Sequence, residues 1–357
     1  MPHQIQIIHD LFQIKGGGER LVMTLCEGLP ADLLTAHIGE HTFDLTQLPG
    51  RITDLDALSD IHGIKTWSLA RAFRSHQPSH QHPKIIYSGV ASPLAITHHR
   101  HARNVFYCHT PPRFIYDKRT TFEQAMNPIK RWAFKRLINW FQPQYEQAVR
   151  QMDVLLTNSE YVRQRIQGAL QLQAQVVYPP CDTNHFKWLS QGDFYLSLAR
   201  HDSLKRIDAI IRAFLRMPDK QLVVASGGAE TEPLKQLAGN APNIHFTGWL
   251  SETQLLKLLG QCLATIYVPL DEDFGMTPVE SMSAGKPVIA ADHGGLLETM
   301  LEGETGYLVS NENLDEQIMA AVQRLSGKHA MAMRSACEAR AQAFSHTTFL
   351  KKIKEYL

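Results

Sequence analysis

Short apolar runs alternate with amphipathic stretches along most of this chain, and that alternation limits what it can fold into more than any other feature. Residues 5–8, 32–36, 84–87, 104–108, 154–157 and 176–178 read as strands. Helical patterns lie between several of them, for example over 19–27, 129–150 and 160–169. Such βαβ alternation argues for parallel sheets covered by helices on both faces. The segment Pro179-Pro180-Cys181-Asp182-Thr183-Asn184 continues neither element and reads as a linker. A second series follows, with strands over 195–199, 222–226, 244–247, 264–268, 287–290 and 306–309. Its helices begin near Lys205, Glu232, Ser251, Thr277, Leu296 and Leu314, and Ser251 and Gln254 have capping-box spacing.

A chain of 357 residues is long for one core and suits two α/β domains. The expected division is an N-terminal Rossmann-like domain over 1–184 and a C-terminal one over 185–342. The last helix, about 343–357, is expected to pack back on the first domain. Ligands of such open sheets sit beyond the carboxyl ends of the strands, so a cleft between facing domains is the expected site.

Composition removes several alternatives. The net charge of +1 gives no case for nucleic-acid binding. Cys26, Cys108, Cys181, Cys262 and Cys337 are dispersed with no CxxC pair, which reads as reduced thiols in a cytoplasmic protein. Residues 1–8 lack the basic start and cleavage site of a secretion signal. No run approaches the ~18 apolar residues of a membrane span, so any membrane contact is expected to be peripheral, on the inner face.

Four constellations lie just past strands. In Asp271-Glu272-Asp273-Phe274-Gly275-Met276-Thr277-Pro278-Val279-Glu280, Thr277 suits a helix N-cap and Pro278 the first helical position. The backbone N–H groups about Gly275–Thr277 would then offer a phosphate site. Glu280 stands either as a ligand or as the capping-box partner of Thr277, and spacing leaves these readings level. Arg200 and Lys205 are two cations on one turn, able to neutralise a diphosphate or simply solvated. Gly16-Gly17-Gly18-Glu19-Arg20 allows close backbone approach before a helix, yet fails as a dinucleotide fingerprint, which disfavours an NAD enzyme. His109-Thr110-Pro111-Pro112-Arg113-Phe114-Ile115-Tyr116-Asp117 is the fourth. A lone histidine there is more often structural than not.

Together these stretches resemble glycosyltransferase family 4. Glu272 and Glu280 about Phe274-Gly275 resemble its E-x7-E signature, and Arg200 with Lys205 its phosphate clamp. Gly16–Arg20 resembles its GG-x-E-R loop. The segments 109–117 and 205–208 resemble its mannosyltransferase branch. The resemblance implies a GT-B architecture, two Rossmann-like domains facing across a cleft, and hexose transfer with retained configuration. It implies His109, Arg200, Lys205 and Glu272 as catalytic residues, Glu272 touching the donor sugar and Glu280 the ribose. Gly17, Ser226, Gly248, Trp249, Phe274, Gly275, Met276 and Thr277 would complete the donor site. Arg113 and Asp117 would shape the acceptor pocket.

The implied partners are a nucleotide sugar, with GDP-mannose preferred over UDP-hexoses, and a glycan or lipid-linked acceptor of cell-surface polysaccharide or glycolipid synthesis. No cofactor or metal is expected: Asp54-Leu55-Asp56, Asp271-Glu272-Asp273 and the His98, His99, His101 cluster do not make convincing ligand sets. A sugar-nucleotide epimerase of the same fold and a non-catalytic nucleotide-sugar-binding protein remain as alternatives. The basic, aromatic stretch 130–141 is expected to be a helix with its aromatics inward, or one lying on an anionic membrane surface.

Overall fold

The computed structural model describes residues 3–58 and 64–357. It divides at Pro179–Pro180 into two units, with Phe349–Leu357 returning to the first.

The first unit is a seven-stranded sheet of β1 (Ile5–His9), β2 (Ala31–Thr35), β3 (Ile52–Asp54), β4 (Lys84–Ser88), β5 (Arg103–Cys108), β6 (Val154–Thr157) and β7 (Gln175–Val176). Their order is β3-β2-β1-β4-β5-β6-β7, with every pairing parallel. Neighbouring strand residues face opposite ways. Ile8, Leu34, Ile85 and Phe106 therefore enter one core, and Ile7, Leu33, Ile86 and Val105 the other. Helices α1 (Gly17–Gly28), α2 (Lys65–Ser75), α3 (Arg119–Gln124), α4 (Pro128–Arg150) and α5 (Glu160–Leu170) connect the strands. The short strand β3 and helix α2 fall where the sequence pattern is faintest.

The second unit repeats the plan. Its strands are β8 (Phe194–Ser197), β9 (Gln221–Ala225), β10 (Ile244–Gly248), β11 (Ala264–Tyr267), β12 (Val288–Ala291) and β13 (Gly306–Val309). They run in the order β10-β9-β8-β11-β12-β13, again all parallel. Its helices are α6 (Ile207–Leu215), α7 (Thr231–Ala238), α8 (Glu252–Gln261), α9 (Met276–Ser283), α10 (Leu296–Thr299), α11 (Leu314–Arg324) and α12 (Gly327–Gln342). Helix α8 starts on the full capping box between Ser251 and Gln254 that the spacing predicts. The last helix, α13 (His346–Tyr356), buries Phe349 and Ile353 in the first unit's core, with the Phe349 ring edge-on to Tyr107 at 6.1 Å.

Each sheet reverses its strand order once, between β1 and β4 in the first unit and between β8 and β11 in the second. Loops leaving such neighbours diverge and open a crevice at the strand ends. The motif residues gather at these two places.

Candidate active site

In the second unit, Lys205 follows β8 and Glu272 follows β11. The Lys205 ammonium donates to Glu272 Oε2 at 2.9 Å and to the Tyr267 hydroxyl at 3.0 Å. Tyr267 in turn donates to the same Glu272 oxygen at 2.7 Å. Burial first, then the Glu272 carboxylate, holds the Tyr267 phenol well above its ordinary pKa, with Glu280 adding to the effect, so Tyr267 stays a donor. Tyr267 was not singled out from sequence, where nothing marks it beyond its place within the strand 264–268.

The loop after β11 is fixed by backbone contacts. Gly295 N–H donates to the Glu272 carbonyl at 2.9 Å, and a Cβ on Gly295 would lie 2.4 Å from the Asp273 oxygen and Phe274 Cα. Phe274 is buried edge-on to Phe344 at 5.4 Å, so its side chain belongs to the core and only its backbone is placed for a ligand. The helix start differs from expectation by two residues. Gly275, at φ 98°, is the N-cap of α9, Met276 is its first residue and Thr277 its second. A positive φ suits glycine, so the chain turns into the helix there, and Thr277 does not cap it. The capping-box reading of Glu280 therefore falls away. Glu280 sits half-buried in the second turn, and the N–H groups of Met276 and Thr277 lie at the positive end of α9.

Arg200 is exposed beyond β8. Arg206 turns inward. Its backbone is left-handed at φ 51°, Nε donates to the Val268 carbonyl at 2.7 Å, and Nη2 is buried without a partner among the described residues. On the other side of β8, Ser226 closes β9 at φ 84° and donates its N–H to the Gly248 carbonyl at 3.0 Å. Gly248 has φ 69°, and the exposed Trp249 ring lies over Gly227, where a Cβ would come within 2.7 Å of Nε1. Together these form a rigid turn with one exposed aromatic edge.

In the first unit a cavity of about 350 Å³ opens at the β1–β4 reversal. His9, Asp10, Leu11, Glu19, Lys65 and His109 are among the residues that line it. Asp10 accepts N–H bonds from Val90, Ala91 and Ser92 at 2.6–3.0 Å, which ties β1 to the loop after β4 and occupies both carboxylate oxygens. Desolvation pushes the Glu19 carboxyl above its usual range. A Cβ on Gly17 would meet nothing within 4 Å, whereas one on Gly18 would lie 3.8 Å from the His109 ring. Close packing in this loop thus bears on Gly16, where a Cβ would lie 2.5 Å from Glu19 Oε2, and not on Gly17. Arg113 and Arg165 both donate to Asp117 Oδ2, at 3.0 and 2.6 Å, so Asp117 is neutralised by two guanidinium groups.

Away from these sites, Asp54 accepts the N–H groups of Ile38 and Asp56 and stabilises a turn. His99 is buried, with a neighbour's N–H on its carbonyl, and desolvation lowers its pKa to about 4. Among the described residues no three His, Cys, Asp or Glu side chains gather as metal ligands do. None of the described helices is long and apolar enough to cross a membrane. On α4 the aromatics do not all turn inward: Trp132 is 62% and Ile129 80% exposed, with Arg136 over the Trp132 ring at 5.1 Å. Arg131 is committed to the Glu123 and Met126 carbonyls.

Comparison with known proteins places the chain among glycosyltransferases. The family model described as Glycosyltransferase Family 4 matches residues 15–185, and that of Glycosyl transferases group 1 matches 182–343. The chain is 30% identical to the alpha-1,3/1,6-mannosyltransferase ALG2 of Dictyostelium discoideum over 57% of its own length and 57% of that protein's. It is 24% identical to the Mus musculus ALG2 over 72% of its length and 68% of the relative's. It thus spans little more than half of the first relative and about two thirds of the second. The solved structure of Anabaena Alr3699/HepE in complex with UDP has a TM-score of 0.70 at 16% identity, covering 99% of both chains.

Proposed function

The chain belongs to glycosyltransferase family 4 and has the GT-B fold, and on that footing we propose that it moves mannose from GDP-mannose to a hydroxyl of a glycan or lipid-linked acceptor, with retention. The observation that carries this reading is the Lys205–Glu272–Tyr267 cluster beside the open start of α9. A cation, a carboxylate and N–H donors at a helix start are the kinds of group that a nucleotide diphosphate sugar needs.

In this reaction the bond between the anomeric carbon and the phosphate oxygen breaks, and the bond to the acceptor oxygen forms on the same face. The acceptor proton passes to the departing phosphate. Lys205, Arg200 and the N–H groups at Gly275–Thr277 stabilise the charge that develops on the diphosphate. Glu272 orients the sugar and Glu280 the ribose. The Ser226 and Gly248–Trp249 turns flank the base. His109 contacts the sugar, Gly17 the donor, and Arg113 and Asp117 the acceptor. The cationic set does the work of a divalent ion, so transfer survives EDTA.

Mannose is favoured by the mannosyltransferase relatives and by segments 109–117 and 205–208. A UDP-hexose donor is the second reading, favoured by the UDP bound to the Anabaena neighbour. Thermal-shift titration with GDP, UDP and ADP separates them: GDP should raise the melting temperature most, and a shift with UDP alone would reject the mannosyl donor.

The protein works in the cytoplasm, on the inner face of a membrane. Ile129, Trp132 and Phe122 are exposed beside Lys130, Lys135 and Arg136, a combination that fits an anionic lipid surface. Each cation held near such a surface adds about 1 kcal/mol. Flotation with phosphatidylserine vesicles at low salt should capture the wild type and lose a Lys130→Gln/Trp132→Ser/Arg136→Gln variant; equal flotation of both would refute the contact.

A further inference from the structure

His9, Ser88 and His109 come from the ends of β1, β4 and β5 and form one continuous hydrogen-bonded row. His9 Nδ1 lies 2.9 Å from the Ser88 carbonyl oxygen and 3.2 Å from Ser88 Oγ. Ser88 Oγ lies 2.8 Å from His109 Nε2. Ser88 itself is fully buried, so water does not compete for its hydroxyl.

The proton positions follow from which atoms can donate. A carbonyl oxygen only accepts, so a ring nitrogen 2.9 Å away must carry the hydrogen. His9 is therefore protonated at Nδ1 and donates to Ser88. Ser88 Oγ cannot donate back to a nitrogen that already bears a hydrogen. Its own hydroxyl proton goes the other way, to His109 Nε2. That nitrogen must then be bare, and neutral His109 carries its proton on Nδ1. Neutrality is supported on both sides: desolvation lowers the pKa of His9 to about 4 and of His109 to about 3, and the His9 ring further disfavours a charge on His109.

We propose that Ser88 is a positioning residue which, oriented by His9, locks His109 as the Nδ1–H tautomer, so that the cavity is offered a fixed N–H donor and not a base. A donor of this kind fits a hydroxyl or ring oxygen of a sugar. It does not deprotonate an acceptor, and the proton of the transferred hydroxyl has to leave by another route. Its effect on transfer rests on the mannosyltransferase reading above; the tautomer itself does not.

Long-range 1H–15N correlation on the full chain, with 15N-labelled histidine, reads the tautomer without any substrate. The His109 signal is assigned by its loss in His109→Asn. In wild type Nδ1 should be the protonated nitrogen at pH 7. Ser88→Ala should give a mixture containing Nε2–H, and Ser88→Thr, which keeps a hydroxyl, should restore Nδ1–H. Turnover should fall roughly tenfold in Ser88→Ala, the lower range for loss of a group that orients a ligand-contacting histidine, with nucleotide affinity unchanged. His109→Asn, whose amide N–H can stand in for Nδ1–H, should retain more activity than His109→Gln. An Nε2–H tautomer in wild type, or a folded Ser88→Ala with an unchanged spectrum, would overturn the relay. A correct spectrum with no turnover in any protein would leave the relay standing and strike instead at the transferase reading.

Discussion

Lys205 and Glu272, 67 residues apart in sequence, meet at 2.9 Å beneath the Tyr267 hydroxyl. Without a donor, the cation assigned to the diphosphate is neutralised by the carboxylate assigned to the sugar. Both side chains keep about a fifth of their surface exposed, so the pair borders solvent, where a ligand can reach it. Lys205→Ala should cost roughly 10²–10³ in turnover, the scale of one preorganised donor to a developing oxyanion. Tyr267→Phe leaves the ion pair in place and should cost about tenfold or less, with kcat rather than nucleotide affinity affected. Equal losses for the two variants in steady-state assays would contradict this division of labour.

The two glutamates should separate in calorimetric titration with free GDP. Glu272→Gln should lower turnover while leaving GDP affinity nearly intact, because its proposed partner is the sugar. Glu280→Gln should weaken GDP binding, because its proposed partner is the ribose. Gly275 caps α9, so loss of Glu280 should not bring the ~1 kcal/mol destabilisation of a lost cap. A lowered melting temperature with unchanged GDP affinity would reassign Glu280 to structure.

Strands with continuous apolar runs, such as β5 and β12, were legible because burial on both faces of a parallel sheet leaves no polar interruption. The region holding β3 and α2 was not: β3 has three residues at a sheet edge, none of them buried, so tertiary pairing outweighs a weak local pattern. At the site, the family resemblance singled out Lys205, Glu272 and His109. It could not show that Lys205 pairs with Glu272, that Arg206 folds inward, or that α9 starts at Gly275, because each depends on where a neighbouring strand ends. Ser88 and Tyr267 carry no motif; only the sheet order brings them to their partners.

Stability should fall on acidification within a defined window. His9 and His99 have folded-state pKa values near 4 and His109 near 3, against an ordinary value of 6.5. Below pH 6.5 the unfolded chain takes up protons that the folded chain refuses, so stability present at pH 7 is lost as pH drops from about 6.5 towards 4. The buried Asp10 carboxyl, pushed up by desolvation, works in the opposite sense. His99 alone contributes up to about 1.4 kcal/mol per pH unit in the middle of the window. Urea midpoints from pH 7 to 4.5 should decline, and His99→Leu should flatten the slope. The same slope in wild type and His99→Leu would show that this ring is not held neutral.

The central claim is mannosyl transfer with retention. NMR observation of GDP-mannose turnover, with EDTA present and a lipid-linked or glycan acceptor supplied, tests it most directly. The account predicts release of GDP together with an α-mannoside, and no reaction in Lys205→Ala on the same timescale. A β-linked product, or consumption of a UDP-hexose while GDP-mannose stays intact, would contradict it.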